Sequence, residues 1–121
     1  MKSNNWREQF VERLLDFASL IVLVSNKLPK TAAGFAIANQ IVRSGTSIGA
    51  NFVESQDASS TKDFIQKLSI SLREARETWY WLKVIERTKL LSYDDIKQEI
   101  AECDQIVAIL VKTIKKAKEK L

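Results

Sequence analysis

Residues 43–82 read RSGTSIGANFVESQDASSTKDFIQKLSISLREARETWYWL, and the spacing of their apolar side chains decides the fold. In the second half Thr61, Ile65, Leu68, Leu72, Ala75, Trp79 and Leu82 alternate steps of four and three, with Phe64 widening the stripe. Steps of four and three place residues on one face of a helix, whereas a strand would alternate every second residue. In the first half Ile48 and Phe52 continue a row begun by Ile37 and Ile41. A neighbouring row of small residues runs through Ala38, Val42, Gly45 and Gly49. Each mid-helix glycine costs about 1 kcal/mol relative to alanine, so this row predicts the close approach of another backbone. The two halves therefore predict helices over about Ala32–Ser55 and from the Ser59-Ser60-Thr61 cluster onward. The hydroxyls of that cluster suit an N-cap, and Asp63 favours the first turn.

The same periodicity extends in both directions. Phe10, Leu14, Phe17, Ile21, Val24 and Leu28 predict a helix over about Ser3–Asn26, ended by Pro29. Ile96, Ile100, Cys103, Val107, Leu110 and Ile114 predict a fourth, opening at Ser92 with Asp94 and Asp95 at its positive end. Four amphipathic helices with short connections predict one all-α domain over residues 1–121, a left-handed up-down-up-down four-helix bundle.

Composition agrees. The chain has 121 residues, three Gly and one Pro, too little turn chemistry for a many-stranded sheet. Its single cysteine cannot form an internal disulfide, and Met1-Lys2 leads into a polar stretch without a signal-peptide core, so a cytoplasmic setting is expected. No apolar run approaches the roughly 20 residues that span a bilayer, so no membrane is expected. Net charge is +4, which permits nucleic-acid contact. Histidine is absent, removing the commonest general base and metal ligand. Leu20–Val24 and Ile106–Val111 are apolar on nearly every helix face, more than an amphipathic surface helix needs. These belts predict burial against other subunits.

Several constellations suggest chemistry. Gly45-Thr46-Ser47-Ile48-Gly49 matches the G-x-S-x-G pattern of a nucleophile elbow, which requires a strand-to-helix turn and a histidine partner. Within a helix and without histidine, it reads as a packing surface, and no catalytic residue is expected. Glu54, Glu74 and Glu77 lack the Glu-x-x-His pairs of bundle di-metal sites. Ordinary ion pairs are expected instead, Glu77 with Arg73 and Asp63 with Lys67, and no metal or other cofactor. Arg43, Ser47, Asn51 and Glu54 form a polar line that either faces solvent or makes a structural polar network.

The third helix carries Lys62, Gln66, Ser69, Arg73, Arg76, Tyr80, Lys83 and Arg87 at helical spacing, with no acidic residue among them. This basic strip, about 37 Å long at about 1.5 Å per residue, lies about 100° from the expected apolar seam. Such a strip suits successive phosphates, and Tyr80 suits stacking on an unpaired base. The alternative is a solvated face whose charges pair with Glu74, Glu77 and Glu86. Lys112, Lys115, Lys116, Lys118 and Lys120 form a second basic cluster, partly explained by the negative helix end. Trp79 is expected in the core, Trp81 on the outer side beside Glu77, and Trp6 as an anchor at the mouth of the first helix.

The run Arg43–Glu54, followed by Lys62-Asp63-Phe64, Lys67-Leu68, Glu74–Thr78 and Tyr80-Trp81-Leu82, resembles the bacterial four-helix-bundle proteins named for 23S ribosomal RNA intervening sequences. Ser55 stands where many relatives have glycine and Gly49 where many have proline. Both departures suit a more continuous second helix. The resemblance implies a ring-forming homo-oligomer, most often a pentamer. It also implies kinship to retroelement accessory proteins that bind nucleic acid and a reverse transcriptase through basic surfaces. The expected function is thus a non-enzymatic homo-oligomer binding RNA or DNA through the third helix and the C-terminal lysines. The alternative is a protein-interaction scaffold with an unknown protein partner and no nucleic-acid role.

Overall fold

The computed structural model describes residues 5–121 and contains four helices, α1 (Trp6–Lys27), α2 (Ala32–Ser55), α3 (Thr61–Thr88) and α4 (Tyr93–Lys118). Each starts at a polar cap whose side-chain oxygen accepts an otherwise unpaired backbone N–H. Asn5 accepts from Arg7, Thr31 from Gly34, Ser60 from Asp63 and Ser92 from Asp95. The α1 start expected near Ser3 lies outside the described residues, but the cap at Asn5 places the first helical residue at Trp6. Helix α1 stops at Leu28, held extended before Pro29.

Each helix packs closely on its neighbours in sequence and α4 returns to α1, while among the described residues the diagonal pairs bring no backbones close together. The directions follow from paired residues. Ser44 meets Thr78 while Ile48, one turn later, meets Ser71, so α2 and α3 run antiparallel. Gly45 lies against Ile21 and Gly49 against Leu14, so α1 and α2 are antiparallel too. A Cβ on Gly45 would stand 2.7 Å from Ile21 Cγ2. That approach is the compensation for glycine in the middle of a helix. The α1–α4 seam is the sparsest contact and is bridged by a bidentate ion pair, Arg13 Nε to Glu102 Oε2 at 2.6 Å and Arg13 Nη2 to Glu102 Oε1 at 2.8 Å.

Phe17, Phe52, Leu14, Ile21, Ile41, Ile48, Leu68, Leu82, Ile85, Ile96, Ile106 and Leu110 are essentially inaccessible to water and form the core. Each contributes about 1.5–3 kcal/mol by leaving water. At the end holding the α1 N-terminus, Phe10 meets Phe52 edge-on at 4.9 Å, and a half-exposed Trp6 tilts over both.

The seam of α3 is rotated from the expected one. Its buried residues are Leu68, Ser71, Ala75, Thr78, Leu82 and Ile85, so Thr78 replaces Trp79 and Ser71 replaces Leu72 at the centre. The cause is steric and polar together. Close α2–α3 packing excludes an indole, and hydroxyls are accepted there because each finds a partner. Trp79 is therefore turned outward, 38 % exposed, and Trp81 inward, partly buried against the core with its indole N–H on Glu77 at 3.1 Å. Both placements reverse the expectation, although Trp81 does lie beside Glu77 as expected. The apolar belts leave Val22, Leu23 and Val111 exposed, and Leu15 joins them on α1. Among the described residues no helix is long and apolar enough to cross a membrane.

Candidate nucleic-acid interface

The rotation of the α3 seam also relocates the basic strip. Arg73, Tyr80 and Arg87 each follow a buried residue (Ser71, Thr78, Ile85) by two positions, about 200° around the helix. Ser69, Arg76 and Lys83 follow buried Leu68, Ala75 and Leu82 by one position, about 100°, so the strip as a whole lies about 150° from the seam rather than about 100°. Lys62, Gln66, Arg73, Arg76, Tyr80 and Arg87 are exposed, and Ser69 and Lys83 are half-buried.

Two of the carboxylates beside this strip, Glu74 and Glu77, are occupied from α2. Arg43, reaching across from α2, donates to Glu74 through Nη1 at 3.2 and 3.3 Å and to Glu77 through Nη2. That bond, aided by the Trp81 indole, holds the Glu77 carboxyl below the usual carboxylate range, while partial burial opposes the shift. The same contact raises the already high Arg43 guanidinium further. Glu77 thus pairs with Arg43 and not with the expected Arg73. Asp63 does sit by Lys67, at 4.0 Å. Glu86 holds Lys83 at 2.7 Å. Among the described residues, Lys62, Arg73, Arg76 and Arg87 have no carboxylate partner.

The polar line of α2 is only partly a network. Arg43 joins α2 to α3, but Ser47 donates to the Arg43 carbonyl at 2.5 Å and Asn51 to the Ser47 carbonyl at 2.8 Å, both within their own helix. Glu54 is exposed, and its carboxylate makes no hydrogen bond or ion pair among the described residues. Its exposure to solvent explains the departure. The buried polar contacts lie one position away from that line. Thr78 Oγ1 donates to Ser44 Oγ at 2.8 Å, and Ser71 Oγ to the Ile48 carbonyl at 2.8 Å. Their signal in the sequence was the alternative row Ser71, Ala75, Thr78, Leu82, Ile85, also spaced by fours and threes.

The C-terminal lysines lie on the outer side of α4. Lys112, Lys115, Lys116, Lys118 and Lys120 are all exposed. Because α4 runs antiparallel to α3, they gather at the end where α3 begins, near Lys62. There Lys112, Lys116 and Lys120 rim an open cleft of about 760 Å³ floored by Trp6, Phe64 and Ile109, with Arg7 stacked over Phe64 at 5.3 Å.

Among the described residues no group of three metal-binding side chains is assembled. Ser47 lies in mid-helix with its hydroxyl bonded to its own backbone, the geometry opposite to that of an elbow nucleophile. Cys103 is buried, its thiol donating to the Ala75 carbonyl at 3.3 Å. Burial, with smaller effects of Asp104 and Glu102, pushes the thiol up to about 12. It is structural rather than nucleophilic.

Comparison with known proteins agrees with this architecture. A crystal structure of a protein of unknown function from the S23 ribosomal protein family of Bacteroides thetaiotaomicron is similar at a TM-score of 0.81 and 39% identity, covering 87% of this chain and 97% of that one. No curated protein matches the chain. The sequence profile of the 23S rRNA-intervening sequence proteins matches residues 8–112, which hold all of α2 and α3 and most of α1 and α4. The chain therefore belongs to the 23S rRNA-intervening sequence protein family.

Proposed function

We propose that the protein is a non-enzymatic, cytoplasmic homo-oligomer that binds RNA or DNA through phosphate contacts. The outer face of α3 supplies Lys62, Arg73, Arg76, Lys83 and Arg87, and the lysines of α4 extend the surface. Lys83 is paired with Glu86 of its own helix, and the observation that carries this reading is the capture of Glu74 and Glu77 by Arg43 of α2. A merely solvated face would have used those carboxylates as its own counter-ions. Instead three arginines and a lysine stand along a rigid rod with their charge uncompensated, an arrangement suited to a polyanion. Exposed Leu15, Val22 and Leu23 on α1 support self-association, since side chains of this size in one region ordinarily seek a partner. A ring, with five copies favoured, is consistent with the family resemblance.

Fluorescence anisotropy of the full chain with structured RNA, measured across a salt series, tests the reading. Affinity should fall steeply with salt and vary little with sequence. Replacing Arg73, Arg76 and Arg87 together by Gln removes three phosphate contacts. The slope of log K against log salt should then fall by about 2, at roughly 0.7–0.9 per phosphate. Absence of binding by the native chain at low salt sinks the proposal.

A further inference from the structure

We infer that the cleft between α3 and α4 beside Trp79 and Tyr80 receives an unpaired nucleobase, so that the preferred ligand is single-stranded nucleic acid. The inference rests on the phosphate-binding reading above and adds to it a chemical class. The cleft has a volume of about 400 Å³ and is lined by Arg76, Trp79, Tyr80, Asp104 and Val107. That volume falls within the range of about 300–1,000 Å³ typical of small-molecule sites.

Three features converge on a flat aromatic ligand carrying a phosphate. Trp79 and Tyr80 are adjacent, 38 % and 56 % exposed, and a helix has no packing reason to leave both large rings in water. Lys83 places its ammonium 5.9 Å from the Trp79 ring, and Tyr80 is braced edge-on against Trp81 at 5.3 Å. Both rings are thus steadied by neighbours, which lowers the ordering cost of stacking a base on them. Finally, the charges are separated. Arg76 and Lys83 belong to the strip that would hold phosphates, whereas the α4 side of the cleft presents the Asp104 carboxylate. A carboxylate inside the cleft repels a phosphate but accepts N–H groups from a base edge. The base enters and its phosphates remain at the strip. A duplex, its bases stacked and paired, can use the strip but not the cleft.

The test compares a short fluorescein-labelled single-stranded RNA with the duplex formed by annealing its complement, both at low salt, on the native chain and three variants. Trp79→Ala should weaken single-strand binding by about fivefold to on the order of a hundredfold, the range for one stacked base. Duplex binding should change less than about twofold. Trp79→Phe should retain most of the single-strand affinity. Tyr80→Ala, at a more exposed position with little packing to lose, should weaken the single strand selectively as well. Equal losses for the two ligands, or no loss for the single strand in either alanine variant, overturns the inference while leaving the phosphate strip standing. If the native chain binds neither ligand, the strip itself fails and the base site falls with it.

Discussion

The two faces of α3 treat polar groups in opposite ways. On the inner face Ser71 and Thr78 are shut away from water, and each hydroxyl meets a partner on α2, with Thr78 Oγ1 also 2.8 Å from the Glu74 carbonyl of its own helix. On the outer face Arg73, Arg76 and Arg87 carry full charges with no carboxylate partner among the described residues, although three glutamates lie on the same helix. Buried polar groups that are all satisfied define register, because a slip by one residue strands a hydroxyl in an apolar seam. Exposed charges kept apart from their nearest counter-ions contribute little to stability and remain available for a ligand. One helix thus serves assembly with one side and recognition with the other.

Neighbouring residues offer the strongest way to break that comparison. Ala75 is buried at the α3 seam and its carbonyl receives the Cys103 thiol, while Arg76 is exposed one position on. Ala75→Arg places an unpaired charge in the core and should cost at least about 3–5 kcal/mol, a large share of the roughly 5–15 kcal/mol that holds a domain folded. Arg76→Ala should move stability by less than about 0.5 kcal/mol and register only in the salt dependence of binding. Chemical denaturation of both variants decides it. An Arg76→Ala variant as damaged as Ala75→Arg would show that the outer face is structural.

A milder pair sharpens the same contrast. Thr78→Val removes the bridge to Ser44 without changing volume much and should cost about 1–3 kcal/mol, the penalty of a buried hydroxyl left with poorer partners. Ser69, on the outer side, donates only to the Ile65 carbonyl of its own helix. Ser69→Ala should be neutral or stabilising by up to about 0.5 kcal/mol, since alanine is the better helix former. Equal destabilisation by the two would mean that the inner hydroxyls fix no register.

The architecture was legible because it depends on period and caps, which are local. Ser60 and Ser92 mark their helix starts as expected, and Gly45 announced the close contact with α1 that Ile21 makes. Rotation about the α3 axis was not legible. The rows through Leu72 and Trp79 and through Ser71 and Thr78 have the same period, and hydropathy favours the first. What selects the second is a partner on another helix, Ser44 Oγ and the Ile48 carbonyl, which no single-helix pattern contains. The candidate site inherited that error. Its basic residues share one side of α3, which helical spacing alone dictates, but their angle to the core, the outward turn of Trp79 and the diversion of Glu74 and Glu77 to Arg43 are all tertiary facts.

The diversion of Glu77 is itself testable, with a smaller effect. Its carboxyl is lowered first by the Arg43 hydrogen bond, so the unfolded chain binds the proton more tightly than the folded one. The resulting stabilisation is fully present above the ordinary carboxylate pKa, about 4.3, and is lost as pH falls through the folded value. With the Arg43 and Glu77 side chains 48% and 35% exposed, solvent screening holds it below about 1 kcal/mol. Glu77→Gln retains an acceptor for the Trp81 indole while removing the charge. The variant should therefore melt slightly below the native chain at pH 7, and the gap should close as pH falls below the ordinary carboxylate range and the native carboxylate takes up its proton. A gap that persists unchanged at low pH would assign the cost to Trp81 packing and not to the ion pair. Arg43 would then be a weak reason for the uncompensated charge on the outer face of α3.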